Sequence, residues 1–202
     1  MIKVSRVLAM AVFVCLLTGC EPQCSLFPLF TNDDKVYEKQ LLGTWKVTAG
    51  NDAHQDPSKN IGVVEFSPGK DENSYDMKIP KFTDAGGTLV STVHLVRLGN
   101  YLFIDLAKPE LDLDKAPEIP FPSIAAHCFG RLVLSGDTAS IDFLNDEWVG
   151  KQIDAGKLKL AYVETPDVTL LSANTPELRK FALEHAEDHA AFSQSYTLTR
   201  NK

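Results

Sequence analysis

His94, His127, His185 and His189 are the side chains of this 202-residue sequence whose placement could support acid–base or metal chemistry. His185 and His189 stand at i and i+4, with Glu184 and Asp188 alongside, so on a helix they would share a face. Imidazoles set that way can chelate a transition metal. The metalloprotease pattern, however, needs a glutamate directly after the first histidine, and Ala186 is there instead. Histidines near a helix carboxy terminus also interact favourably with its dipole, and this plainer role is the expectation. His94 and His127 each lie in an apolar, strand-like run, with Glu65, Asp105, Arg97 and Arg131 in neighbouring runs. Pointing into a barrel, two or three of these groups would make a polar floor or a general acid–base pair. A register slip of one residue turns any of them to the other face, so a hydrogen-bonded core histidine is the preferred reading. Glu110, Asp112, Asp114 and Glu118 crowd one acidic loop, and the first three would suit calcium if the chain were extended. That loop lacks the glycine and the oxygen-ligand spacing of an EF-hand, and a solvated loop is expected. The sequence has no phosphate loop, dinucleotide fingerprint or Gly-x-Ser-x-Gly, so no cofactor, metal or catalytic residue is assigned.

The amino terminus carries a clearer message. Lys3 and Arg6 precede the unbroken apolar run Val7–Leu17, and Leu17-Thr18-Gly19-Cys20 follows at once. The run is too short to span roughly 30 Å of hydrocarbon as a helix rising about 1.5 Å per residue. Its length and flank suit an export signal. Leu17–Cys20 resembles the lipobox of bacterial lipoproteins, in which an aliphatic residue and two small ones precede a cysteine that becomes the lipidated amino terminus. The resemblance implies a leader over residues 1–19, a mature chain starting at Cys20 and anchorage by diacylglycerol plus an amide-linked acyl chain such as palmitate. Glu21 is not the aspartate associated with inner-membrane retention, which favours the outer membrane in a diderm cell. Cys15 leaves with the leader and Cys20 takes lipid, so Cys24 and Cys128 remain as a disulfide candidate, with a plain buried thiol at Cys128 as the alternative.

The elements follow from period and punctuation. Residues 20–34 read as a lipidated tether, and residues 35–202 as one domain. Asp33/Asp34 open a short helix through Val36, Tyr37, Gln40 and Leu41. Period-two alternation then marks strands at Trp45–Ala49, Tyr75–Ile79, Ala139–Phe143 and Leu158–Tyr162. Thr88–Leu98 and Tyr101–Ala107, joined by Gly99-Asn100 as a tight hairpin, are apolar on both faces, as is Ile124–Leu134. Something must cover their outer side. Two helices are available: one capped at Asn145/Asp146 with Val149 and Ile153 on a face, and one opened by Thr175-Pro176-Glu177 with Leu178, Phe181, Ala182 and His185, running to about Phe192. A short strand, Tyr196–Arg200, ends the chain. Many short antiparallel strands with a helix before the last suggest a single β-barrel, with a flat sandwich as the competing arrangement.

Gly43-Thr44-Trp45 in the first strand and Arg200 in the last resemble the lipocalin-like (calycin) barrels, where an arginine packs over the tryptophan and closes one end. On that resemblance Gly43, Trp45 and Arg200 are structural. The family's Thr-Asp-Tyr motif is absent. The resemblance implies a small apolar or amphipathic ligand held among Trp45, Phe66, Tyr75, Phe103, Phe129 and Phe143. The alternative is a filled barrel acting as a structural or protein-interaction module of the envelope. A net charge of −7 and 23% charged residues set against 44% hydrophobic ones describe a globular protein without the basic face that nucleic acid requires.

Overall fold

The computed structural model describes residues 22–50, 60–80, 87–107, 110–112, 126–165 and 168–201. In chain order the strands are β1 (Cys24–Ser25), β2 (Lys35–Val36), β3 (Gly43–Ala49), β4 (Asn60–Pro68), β5 (Ser74–Ile79), β6 (Thr88–Leu98), β7 (Tyr101–Ala107), β8 (Glu110–Asp112), β9 (His127–Ser135) and β10 (Thr138–Phe143). Helix α1 (Asp146–Asp154) follows, then β11 (Tyr162–Glu164), β12 (Thr169–Leu171), helix α2 (Thr175–Glu184) and β13 (Gln194–Arg200).

Eight strands close on themselves, in the order β10-β13-β3-β4-β5-β6-β7-β9, with β9 pairing back to β10. Every pairing around this ring is antiparallel. Closure satisfies the backbone donors and acceptors that an open sheet would leave along two edges. The barrel is therefore the architecture, and the sandwich is excluded.

Alternation along the strands divides the apolar side chains between two cores. Trp45, Val64, Phe66, Tyr75, Met77, Val93, Leu95, Leu102, Ile104, Leu132, Ala139, Ile141, Phe143 and Leu198 form the interior. The outer face of β6, β7 and β9 carries Val96, Leu98, Phe103 and Phe129. These join Leu29, Val149, Leu171, Leu178, Phe181 and Phe192 in a second core beneath α1, α2 and the leading segment. This is the cover that strands apolar on both faces demanded. Gly99, with φ +56°, sits first in the two-residue turn between Leu98 and Tyr101, where an L side chain would be strained.

The chain departs from its sequence reading in several places. Residues 33–41 give strand β2 and a 3-10 turn at Lys39–Leu41 instead of a helix, because Val36 pairs with Leu95 and Tyr37 stacks on Tyr75 with ring centroids 4.8 Å apart. Residues 157–160 form no strand; the amides of Lys157 and Leu158 both donate to Gln152 O and finish α1, leaving Leu160 in the outer core. Helix α2 ends at Glu184, short of Phe192. The chain turns there: the Ala186 amide donates to Leu183 O, the Asp188 amide donates to His185 O, and the Asp188 carboxylate accepts the amides of Ala190 and Ala191. Its N-cap is Asn174, one residue before the expected Thr175. Asn174 and Glu177 form a reciprocal capping box, while the Thr175 hydroxyl donates to Pro28 O at 2.7 Å. The segment read as a tether lies against the barrel, with Gln23, Ser25 and Leu29 buried.

Candidate functional site

Among the described residues, the middle of the barrel is packed with side chains. Trp45, Tyr75, Val93, Leu95 and Ile104 are 0% exposed, so no space the size of a water molecule adjoins them. The six aromatic residues expected to line one cavity divide. Trp45, Phe66, Tyr75 and Phe143 face inward, whereas Phe103 and Phe129 lie in the outer core, where Phe192 packs edge-on to Phe103. Tyr75 is tied at its tip as well: its hydroxyl accepts the Glu38 amide at 2.6 Å, and burial pushes the phenol up to about 12.

One end of the barrel is closed by an arginine. Arg200 pairs with Trp45 across β13 and β3, and its guanidinium carbon lies 3.8 Å from the Trp45 ring centroid. The same guanidinium donates to Leu42 O and, at 2.7 Å, to Gln40 O. Trp45 donates its indole N–H to Leu41 O at 2.8 Å. Gly43 has φ +112°, and a Cβ placed there would stand 2.7 Å from Arg200 Nη1. Gly43, Trp45 and Arg200 thus form one unit.

The polar cluster lies on the outside of the barrel. His94 of β6 pairs with Asp105 of β7, and His127 is nearby at the start of β9. His127 Nδ1 is 2.7 Å from Asp105 Oδ1, and the other carboxylate oxygen accepts the Leu29 amide at 2.7 Å. Phe30 stacks on His94 at 4.0 Å between centroids and meets His127 edge-on at 6.1 Å. Burial, assisted by the Lys35 ammonium, pushes the His94 imidazole below its ordinary value. An aspartate–histidine pair orients an imidazole for general base work. Here both oxygens of a fully buried Asp105 are engaged and Phe30 covers the rings, so the cluster holds the leading segment in place instead of opening to a cleft. Sequence reasoning missed Leu29 and Phe30. Their signal was the apolar Leu26–Phe30 run, broken only by Pro28.

The other charged candidates fall elsewhere. Glu65 is exposed on the outer face of β4. Arg131 bonds Asp142 at 3.0 Å and Ala186 O at 2.6 Å, while Asp142 accepts the Ser195 hydroxyl at 2.6 Å. Arg97 pairs with Glu38 at 2.7 Å beside a notch of about 340 Å³ at the hairpin end of the barrel. Glu38, Gln40, Arg97, Asn100 and Arg131 supply the polar part of its lining, and Leu102, Leu132 and Leu134 of the interior supply an apolar part. His185 follows the last residue of α2 and packs on Phe181 and Trp148, so it does not share a helical face with His189. Among the described residues no three histidine, cysteine or carboxylate groups converge as a metal site. Of the acidic loop, Glu110 and Asp112 pair through β8 to β6, and Asp114 and Glu118 lie outside the described residues, as do residues 1–19, expected to be a leader, and Cys20.

No family model, curated protein or solved structure matches this chain.

Proposed function

We propose that this chain is an exported lipoprotein of the bacterial envelope, the outer membrane in a diderm cell, whose filled lipocalin-like barrel serves as a structural or protein-interaction module. The observation that carries the choice of module over carrier is the interior: five central side chains without exposed surface leave no room among them for a ligand. The side chains that would have lined a pocket are the core of the protein. Lipidation at Cys20 rests on the lipobox and its basic, apolar approach.

The course of β1 supports one orientation for the proposed anchor. β1 runs parallel to β12, with Cys24 opposite Leu170, so the chain ahead of Cys24 heads toward the Val168 end of the β11–β12 hairpin. Residues 20–24 reach at most about 14 Å when extended. Val163 and Val168 are 51% and 56% exposed on that hairpin. In this reading the barrel stands close to the membrane with that edge toward the lipid.

Native mass spectrometry of the chain, extracted gently from its own envelope, tests the module. The expected result is the mass of the lipidated polypeptide alone. A small molecule of defined mass that co-purifies and is lost on denaturation would overturn the reading in favour of a carrier. Incorporation of labelled palmitate into the wild-type chain and its loss in Cys20→Ser tests the anchor.

A further inference from the structure

We propose that Cys24 and Cys128 close into a disulfide that staples the leading segment to the barrel. The two residues are direct partners across the antiparallel pair β1–β9, and their sulfurs are 2.8 Å apart over a sequence separation of 104. Directly opposed residues with sulfurs this close stand within reach of the ~2.05 Å of a bond. The sequence points to the same pair, since the leader removes Cys15 and lipid occupies Cys20.

The placement explains why a covalent link is useful there. β1 has only two residues, wedged between β9 and β12, and Gln23 adds side-chain bonds to Cys24 O and Thr169 O. So short a strand has too few ladder bonds to resist fraying by itself. Downstream, Leu29 donates to Asp105 and Phe30 covers His94 and His127. Fixing Cys24 to β9 therefore keeps those residues seated over the Asp105–His127 pair. Lipid on Cys20 would pull on this same segment, and the staple passes that load to the barrel wall and spares the cover.

The oxidant is another disulfide, either a small molecule or a dithiol–disulfide protein of the envelope. One cysteine thiolate attacks a sulfur of that disulfide, forming a mixed disulfide and expelling one thiolate. The second cysteine attacks the mixed disulfide at its partner's sulfur, making the Cys24–Cys128 bond and expelling the other thiolate. Two thiols of the chain lose two electrons and two protons, and the oxidant leaves as two thiols. The supply of oxidant rests on the export reading above; the geometry does not.

Two measurements separate those parts. The purified full-length chain in detergent micelles is reduced, incubated with glutathione disulfide, blocked with a maleimide and digested. A linked peptide pair joining Cys24 to Cys128 is expected, and maleimide on both cysteines would overturn the staple. Hydrogen exchange across residues 24–30 should be at least tenfold faster in the reduced chain and in Cys24→Ser than in the oxidised one, and equal rates would also overturn it. Cys24→Ser is preferred because Cys128 packs against the interior core and its replacement risks the fold. Alkylation of acid-quenched cells then reports the compartment. A pair that closes with glutathione disulfide but is reduced in cells overturns export while the staple stands.

Discussion

Arg200 does three things with one guanidinium: it covers the Trp45 ring and donates to two carbonyls, Leu42 O and Gln40 O. Arg200→Ala should cost about 3 kcal/mol in urea unfolding, from the lost cation–π contact and charged hydrogen bonds. Gly43→Ala should cost about 1–3 kcal/mol for its left-handed backbone and its approach to Arg200 Nη1. The double variant should lose less than the sum, because removing the arginine frees the space the methyl needs; strict additivity would show that the two residues do not act together. Two titrations belong at this scale. Tyr75 is raised to about 12 from 10.0, so its contribution is whole below pH 10 and is lost as pH rises through 10 to 12. Two units correspond to about 3 kcal/mol, and Tyr75→Phe should flatten that alkaline slope. His94 shifts the other way. Its folded value lies below the ordinary 6.5, so the unfolded chain binds the proton first, and stability should fall as pH drops below about 6.5. His94→Phe, which keeps the stack with Phe30, should reduce this acid loss, and an unchanged acid slope would show that His94 does not control it.

At the scale of the element, capping decides where the helices begin, and the turn through Asp188 follows where α2 stops. The Asn174–Glu177 box should be worth about 1 kcal/mol, read as the loss in Asn174→Ala. Leu178→Ala should cost more, about 2–5 kcal/mol, because Leu178 is fully buried in the core between α2 and the barrel. If the cap variant proves the worse of the two, tertiary packing is not what holds α2. Strands with one wet face were legible from alternation, as at β3, β5 and β10, and the Gly99-Asn100 hairpin was legible from its turn residues. The segment 157–160 was not. Lys157-Leu158-Lys159-Leu160 alternates perfectly, yet its amides complete α1, because a period of two states which side is dry and not whether a neighbouring strand is there to pair.

The whole molecule is a closed barrel with a second core on the outer wall of β6, β7 and β9, and the strands β1, β12 and β11 extend from β9. β4 stands across the barrel from β9, so the proposed orientation on a membrane is tested by comparing the two sides. Fluorophores at positions 163 and 168 of the lipidated chain in vesicles should be quenched by brominated lipid, while one at Glu65 on β4 should not. Equal quenching, or the reverse pattern, would reject the membrane-facing edge. The full burial of Ile104 also predicts that Ile104→Ala creates a space there that the wild type lacks, lowering stability by about 2–5 kcal/mol and allowing a benzene-sized molecule to bind.

By itself the sequence carried the strand alternation and most turns, because these are local patterns; Gly43, Trp45 and Arg200, far apart in the chain, were legible only through the resemblance to lipocalin-like barrels, and the Leu17–Cys20 pattern is what the proposed export and lipidation rest on. The sequence could not assign His94, Asp105 and His127 to a face. Their strands are apolar on both sides, and with a period of two a single-residue slip exchanges the interior for the exterior. Nor could it tell a tether from a packed segment, since Leu26–Phe30 has no period and is buried only because the outer wall of the barrel offers Asp105 and an apolar floor. Closure itself was a tertiary decision: β9 meets β10 on one edge and β7 on the other, a long-range pairing that no local pattern of residues announces.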